Sequence, residues 1–454
     1  MAVRYWGNNG SFVNNHFKDY NVTASNGAIH IIGDNTEILN NKFVNLTSSY
    51  TIIGLYGSAS NTTISNNTII NANNFAIAMF GSGGNNTIKE NNLTNVAQGI
   101  WGRGENIFIN DNKVNECGWD DSPGYVGGCI VIAGGGQATR QDNVTIENNY
   151  IVNAREVGFM TGTANRVWGN ITFSNNTITN ASYSVFFTSS GATYRPDNVT
   201  IFNNNFSDSA FGVLSYRNYE NRLGNNIIIR DNVMWNLTTG FDIEGTTLIH
   251  NDIIISNNKI YTNETSMTFD DVHGLSLFNN TIFSQSSGLV LTGSVDVVVL
   301  DNDFEVSRNG LISLDSTGNF TGNSITGSCK EIDCKTVYFT EVALSGIKLL
   351  DRSVFTIERN NLTNFDTSIN ITNSNGMASF NKLDLSNIGI SIYSSQDYLA
   401  SKEMYIGMHY VKKNKWIAAI NRFKNVVNKY DETSFIDEAL HRLVELHYKL
   451  GLVE

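Results

Sequence analysis

Between residues 242 and 273 the chain gathers side chains that handle protons: Asp242, Glu244, His250, Asp270, Asp271 and His273. Paired carboxylates are the working parts of glycosidic cleavage. One is protonated to release the leaving group, and the other is ionised to act as base or nucleophile. Asp242 and Glu244 stand two residues apart, which on a strand puts them on one face, roughly 7 Å from each other. Carboxylates this close repel, so one of them holds its proton to higher pH and serves as the acid. Earlier in the chain come Phe80, Trp101 and Arg103, then Met160, Phe186, Leu214 and Tyr216. Such apolar and aromatic surfaces suit the apolar faces of sugar rings. Arg166, Arg195, Arg217 and Arg222, with Tyr194 and Tyr219, add cations that fit uronate or sulfate groups, or that neutralise the carboxylates.

These residues make one site only if distant segments of chain lie side by side, and the spacing of asparagine says that they do. Fifteen times in the first 381 residues an Asn recurs with an apolar residue three places before and another two places after. The anchors are Asn15, Asn41, Asn67, Asn91, Asn112, Asn149, Asn176, Asn204, Asn232, Asn258, Asn280, Asn302, Asn323, Asn360 and Asn381, separated by 21 to 37 residues. A period of that size means a stacked-repeat architecture. Within one unit, as in "GFDIEGTTLIHNDIIISNNKIYTNET", short runs alternate apolar and polar residues with β-branched enrichment, the mark of strands. Three short strands per unit, without room for a crossover helix, predict one turn of a parallel β-helix, each strand stacking on its counterpart at about 4.8 Å. The Asn column has a reason of its own. Amides carry donor and acceptor and can bond coil to coil, and Asn tolerates the left-handed backbone of a sharp corner. Disordered low-complexity sequence would not keep the apolar positions in phase through all fifteen anchors.

The "h-x-N-N-x-h" frame over residues 1–395 resembles the pectate-lyase-like superfamily of right-handed parallel β-helices, in particular the NosD-like parallel β-helix repeat proteins. The resemblance implies an all-β right-handed parallel β-helix of about 15 coils. It says little about activity, because the superfamily spans lyases, hydrolases, epimerases, tailspikes, adhesins and non-catalytic periplasmic proteins. The run "DDVHG" resembles the acidic pairs and Gly-His-Gly of polygalacturonase-like hydrolases, without that family's separate motifs. The calcium-binding acidic cluster of pectate lyases is not recognisable, so neither calcium nor any other cofactor is expected. In a coil of this kind the opening strand points alternate residues outward. Glu244 and Asp270 then share a column on consecutive coils, about 5 Å apart. Retaining glycosidases need about 5–5.5 Å between carboxyls and inverting ones about 6.5–9.5 Å, so both spacings are on offer. The predicted catalytic residues are Asp242, Glu244 and Asp270. Trp101, Arg103, Phe186, Tyr216, Arg217, Arg222, Asp271 and His273 are predicted to contact substrate.

Composition narrows the partners. The formal charge is −12, and beyond residue 400 nine Lys/Arg outweigh seven Asp/Glu, so the acid lies in the repeats. An acidic body argues against nucleic acid and against anionic membranes, and no apolar run is long enough to span a bilayer. The opening "MAVRYWGNNGSFVNN" lacks the apolar stretch of a signal peptide and enters the first coil at once. A leader and cap are therefore expected to have been removed, or the chain to be a fragment. Cys117 with Cys129, and Cys329 with Cys334, sit in the two longest inter-anchor intervals and are expected to form two local disulfides in an oxidising compartment. Nineteen N-x-S/T sequons lean the same way, towards an extracellular, cell-surface or periplasmic protein. With only four histidines in the repeats and no ligand spacing, no metal site is expected.

From Gln396 the pattern changes to apolar residues at helical spacing, predicting helices near 398–411, 415–429 and 434–450. Gly407, Tyr410, Ala419 and Phe423 fall at the small and aromatic places of a tetratricopeptide helix pair. The stretches "YVKKNKWIAAINRFKNVV" and "EALHRLVELHYKLG" resemble the tetratricopeptide region of BamD-type outer-membrane assembly lipoproteins, which implies a helical docking or capping module over 396–454. The expected function is polysaccharide engagement along the outer strand face. If the protein is an enzyme, it is expected to be a hydrolase or lyase that uses the paired carboxylates. The competing reading is a non-catalytic adhesin, envelope or scaffold protein with a protein-docking tail.

Overall fold

The computed structural model describes residues 3–451 apart from 23–26, 49–50, 82, 119–126, 133–141, 162–168, 188–196, 216–223, 246–251, 329–344, 364, 366, 373, 380, 384–389, 394, 432 and 434. Alternation decides which face each strand buries. In Ile253–Ser256 and Leu275–Phe278 the side chains of Ile253, Ile255, Leu275 and Leu277 are fully buried, while Ile254 and Ser276 between them are half-buried and face out. Strands of three to five residues cannot stand alone. They persist because each coil stacks on the next, in parallel and in register: Ile227 pairs with Ile253, and Ile253 with Leu275.

The second strand of every coil joins a 15-stranded sheet running from Ser11–Val13 to Asn375–Ser379. First and third strands merge into one 27-stranded sheet, because the third strand of one coil runs almost directly into the first strand of the next. Only Thr238 separates Val233–Leu237 from Thr239–Glu244, and Thr177–Phe187 is unbroken. The about 15 coils expected from the anchors are thus the observed rungs of a parallel β-helix. Its interior is a continuous apolar column in which Phe241 and Phe269, or Phe304 and Phe320, stack at 6.5 and 6.3 Å. Each such fully buried side chain contributes about 1.5–3 kcal/mol.

The anchors form a ladder between the second and third strands. The Nδ2 of Asn232 donates to Oδ1 of Asn258 at 3.0 Å, and that of Asn258 to Oδ1 of Asn280 at 3.0 Å. The same contact recurs from Asn15 to Asn381. The two roles expected of one Asn are divided between neighbours. The anchor is buried in the ladder, whereas the residue before it takes the left-handed turn, as in Asn40 (φ 56), Asp111 (φ 57) and Asn257 (φ 55). Left-handed Asn also fills the other corners, for example Asn71 and Asn95, whose amides bond to each other at 2.9 Å.

Cys117 and Cys129 form the expected disulfide, with Cα atoms 5.3 Å apart. Cys329 and Cys334 lie outside the described residues. The tail holds three helices, α1 (Ser395–Lys412), α2 (Trp416–Lys429) and α3 (Ile436–Lys449), around Met404, Ala419, Phe423, Val426, Ala439 and Leu446. Gly407 has the packing role its position suggests: a Cβ there would lie 2.5 Å from the Phe423 ring. Glu403 clamps the same pair of helices through Arg422 at 3.1 Å. On α3 the side chains of Leu440, Val444 and Tyr448, spaced four apart, remain 46, 69 and 77% exposed.

Candidate functional site

The carboxylates sit on two consecutive first strands. In Thr239–Glu244 the rings and branches of Phe241 and Ile243 point into the core, which turns Asp242 and Glu244 outward; in Met267–Asp270 the buried Met267 and Phe269 do the same for Thr268 and Asp270. The register pairs Asp242 with Thr268 and Glu244 with Asp270, so Glu244 and Asp270 are lateral neighbours on one wall, separated by about one strand spacing of 4.8 Å. Asp242 is half-buried, and its carboxyl holds its proton above the usual range, first because of burial and then through the charges of Glu244 and Asp270. Asp271 makes the corner after the strand, at φ 52, and its Oδ1 occupies the space a Cβ on Gly293 would need. Gly293 itself is left-handed at φ 58, so two constraints require glycine there. His273 follows in the turn, paired as a lone bridge with Val295; its Nε2 is buried and has no hydrogen-bond partner among the described residues.

The column that leads to Asp242 is readable rung by rung: Trp101, Val131, Met160, Phe186, Leu214, Asp242. Here the structure corrects the sequence. Met160, Phe186 and Leu214 were expected as an exposed stripe, yet they are 4, 3 and 4% exposed. With Val131 and Val157 they make a separate apolar cluster outside the main core, flanked by half-buried Trp101, Tyr183 and Phe211. Pointing away from the coil interior is not the same as facing water, because large apolar side chains on adjacent rungs shield one another. Trp101 packs edge-on to Phe75 at 4.8 Å, and Arg103 donates from Nη1 to the carbonyl of Phe80 at 3.2 Å. Tyr216, Arg217 and Arg222 lie outside the described residues, as do Arg166, Tyr194, Arg195, Tyr219 and His250. No group of three or more metal-binding side chains occurs among the described residues.

A second set of functional-looking residues lies on the third strands. Three places after consecutive anchors stand Trp235, Tyr261, Phe283 and Glu305, and beside them opens a cavity of about 300 Å³. The anchor frame makes that column legible, but attention to the first strand alone passes it by.

A family model described as a right handed beta helix region matches residues 2–178 and 193–340, more than half of the chain. The chain belongs to the right-handed β-helix family. The tail of this β-helix protein matches a second model, an outer membrane lipoprotein, over residues 386–454. That segment is 54% identical over 56 residues to the outer membrane protein assembly factor BamD of Rickettsia prowazekii, covering 12% of this chain and 22% of that protein. It is 50% identical over 58 residues to BamD of Caulobacter vibrioides, covering 13% and 19%. The chain thus spans about a fifth of the length of the curated relatives it matches. Among solved structures, the tailspike protein of E. coli bacteriophage HK620 in complex with pentasaccharide aligns over 86% of this chain and 72% of its own at 11% identity, with a TM-score of 0.50. A variant of that tailspike aligns over 86% and 71% at 12% identity, with a TM-score of 0.51. At such identities the likeness is one of fold. Among the described residues no helix is long and apolar enough to cross a membrane.

Proposed function

We propose that the β-helix engages a polysaccharide on the outer face of its first strands at the rungs of Asp242, Glu244 and Asp270, where the buried apolar cluster ends. The observation that carries this reading is the in-register pairing of Glu244 with Asp270 beside a half-buried Asp242, whose carboxyl burial and its acidic neighbours push up from the usual range. The upward shift suits Asp242 to protonate a leaving oxygen, which leaves Glu244 or Asp270 to activate water or attack the sugar. The HK620 tailspike, whose fold this chain shares, is a pentasaccharide-binding protein. Asp271 and His273 border the carboxylates, whereas Trp101 and Arg103 lie on the far side of the buried Met160, Phe186 and Leu214 cluster.

Glycan-array binding, followed by reducing-end and 235-nm unsaturation assays on the ligands found, tests the proposal. Wild type is expected to bind and to release reducing ends, with Asp242→Asn and Glu244→Gln each lowering turnover by about 10²-fold or more. Binding that survives Glu244→Gln, with no turnover in wild type, removes the enzymatic part.

A second reading is favoured by the exposed stripe Leu440, Val444 and Tyr448 on α3. Apolar side chains at this spacing fit an amphipathic partner helix. On this reading the β-helix is a surface or envelope scaffold, and the tail docks a protein partner. A chain that binds no glycan but loses a partner on Val444→Glu would be the scaffold.

A further inference from the structure

We infer a second carbohydrate-binding site, on the third-strand face, for a neutral or amino-sugar oligosaccharide. Trp235, Tyr261 and Phe283 occupy successive rungs, with ring centroids 4.7 Å apart at both steps. The angles separate two jobs. Tyr261 and Phe283 are parallel within 2°, so each covers one face of the other. Trp235 is rotated 56° from Tyr261 and is 55% exposed, so over half of the side chain stays open at the end of the stack. A ladder built only for stability would continue the parallel stacking and would leave no concavity. Here a cavity of about 300 Å³ is lined by the rings and by the corner amides Asn236 and Asn263, themselves bonded at 3.2 Å. From the Trp235 rung to the Glu305 rung is three strand spacings, roughly 14 Å, room for more than one sugar.

The lining names the ligand class. An indole face takes the apolar side of a sugar ring, and amides and hydroxyls along a wall match its hydroxyls. Glu305 is the one acidic or basic side chain among the described residues of the lining, and it is exposed. A uronate or sulfated chain would meet a negative charge with no cation in that lining to offset it, whereas a neutral chain, or one with an amino group, would not. This site stands apart from the first-strand carboxylates and does not depend on them.

Titration of the full chain with maltotetraose, cellotetraose, chitotetraose, chitosan tetramer and tetragalacturonate, read by tryptophan fluorescence and calorimetry, tests it. At least one of the first four is expected to bind, tetragalacturonate to bind at least tenfold more weakly here, and Trp235→Ala to weaken binding about tenfold while Trp235→Phe keeps most of it. Glu244→Gln is expected to leave this affinity unchanged, so failure of the first-strand proposal and failure of this one are distinguishable. The inference is overturned if none of the five binds, if Trp235→Ala binds as wild type does, or if sedimentation shows that Trp235→Ala dissociates a dimer of this chain. Trp235 is on the surface, and an unchanged far-ultraviolet spectrum would show that the variant is folded.

Discussion

Removing one rung of the asparagine ladder should destabilise the β-helix by an amount that depends on where the rung lies. Asn258 is fully buried and its side chain takes part in five hydrogen bonds. Its two Nδ2 hydrogens are shared among Oδ1 of Asn280, the carbonyl of Ile229 and the carbonyl of Ser256, all at 3.0 Å. Its Oδ1 accepts from the backbone N–H and the Nδ2 of Asn232, at 2.9 and 3.0 Å. After Asn258→Ala, the carbonyl of Ser256 keeps the N–H of Asp231, and the Asn232 amide keeps two carbonyls. The backbone N–H of Asn232 loses the acceptor its anchor supplied and is left in the interior. An orphaned buried donor costs about 1–3 kcal/mol, and the bonds of the two lost Nδ2 hydrogens about 1 kcal/mol each, so the variant should lose about 3–5 kcal/mol. Asn15→Ala at the exposed first rung should lose less than about 1 kcal/mol, because water replaces what it removes. Asn258→Asp preserves size but offers only acceptors to three acceptors, so it should be worse than wild type at neutral pH and recover in acid as a carboxylic O–H forms. Stacked repeats need not unfold in one step, so amide hydrogen exchange of the rungs on either side of residue 258, alongside the denaturant midpoint, is the measurement. Equal losses for Asn15→Ala and Asn258→Ala, or an Asn258→Asp variant as stable as wild type at pH 7, would refute the account of the ladder.

Burial, with a contribution from Arg4, lowers the His30 pKa to about 4, so the unfolded chain takes up that proton first. The stability His30 supports is full above the ordinary imidazole range and lost as pH falls towards 4; exchange of the first coils should speed up over that window, and His30→Phe should flatten the dependence. For Asp242 the sign is opposite. Its folded pKa is raised, so its contribution is present below the ordinary carboxyl range and lost as pH rises through the folded value. Asp242→Asn should therefore raise the melting temperature at pH 7 and lose that advantage in acid, as a pair of thermal scans would show. Gly407→Ala pushes a methyl to 2.5 Å from the Phe423 ring and should destabilise the tail by about 1–3 kcal/mol, read as earlier loss of helical circular dichroism with the β signal unmoved.

What the sequence reveals and what it hides follow from the same repeat. A fixed frame makes every inward and outward position predictable, which is why the register of Glu244 with Asp270 and the coil-to-coil bonding of the Asn anchors could be read without coordinates. Alternation, however, reports only the direction of a side chain relative to its own coil. Phe186 and Asp242 share one outward column, and the difference between 3% exposure and a half-buried carboxylate comes from neighbours on adjacent rungs. The apolar residues of the Phe186 column pack into a buried cluster, whereas Asp242 and Thr268 on the following rungs are half-buried. The place to look for a ligand on a solenoid is therefore where a column changes chemistry between rungs. By that test the transition from Leu214 to Asp242 on the first strands has a counterpart on the third, where Phe283 gives way to Glu305. The two faces should then answer to different ligands: the first presents the carboxyls of Asp242, Glu244 and Asp270, while the second presents the exposed Trp235 beside a cavity with one acidic side chain.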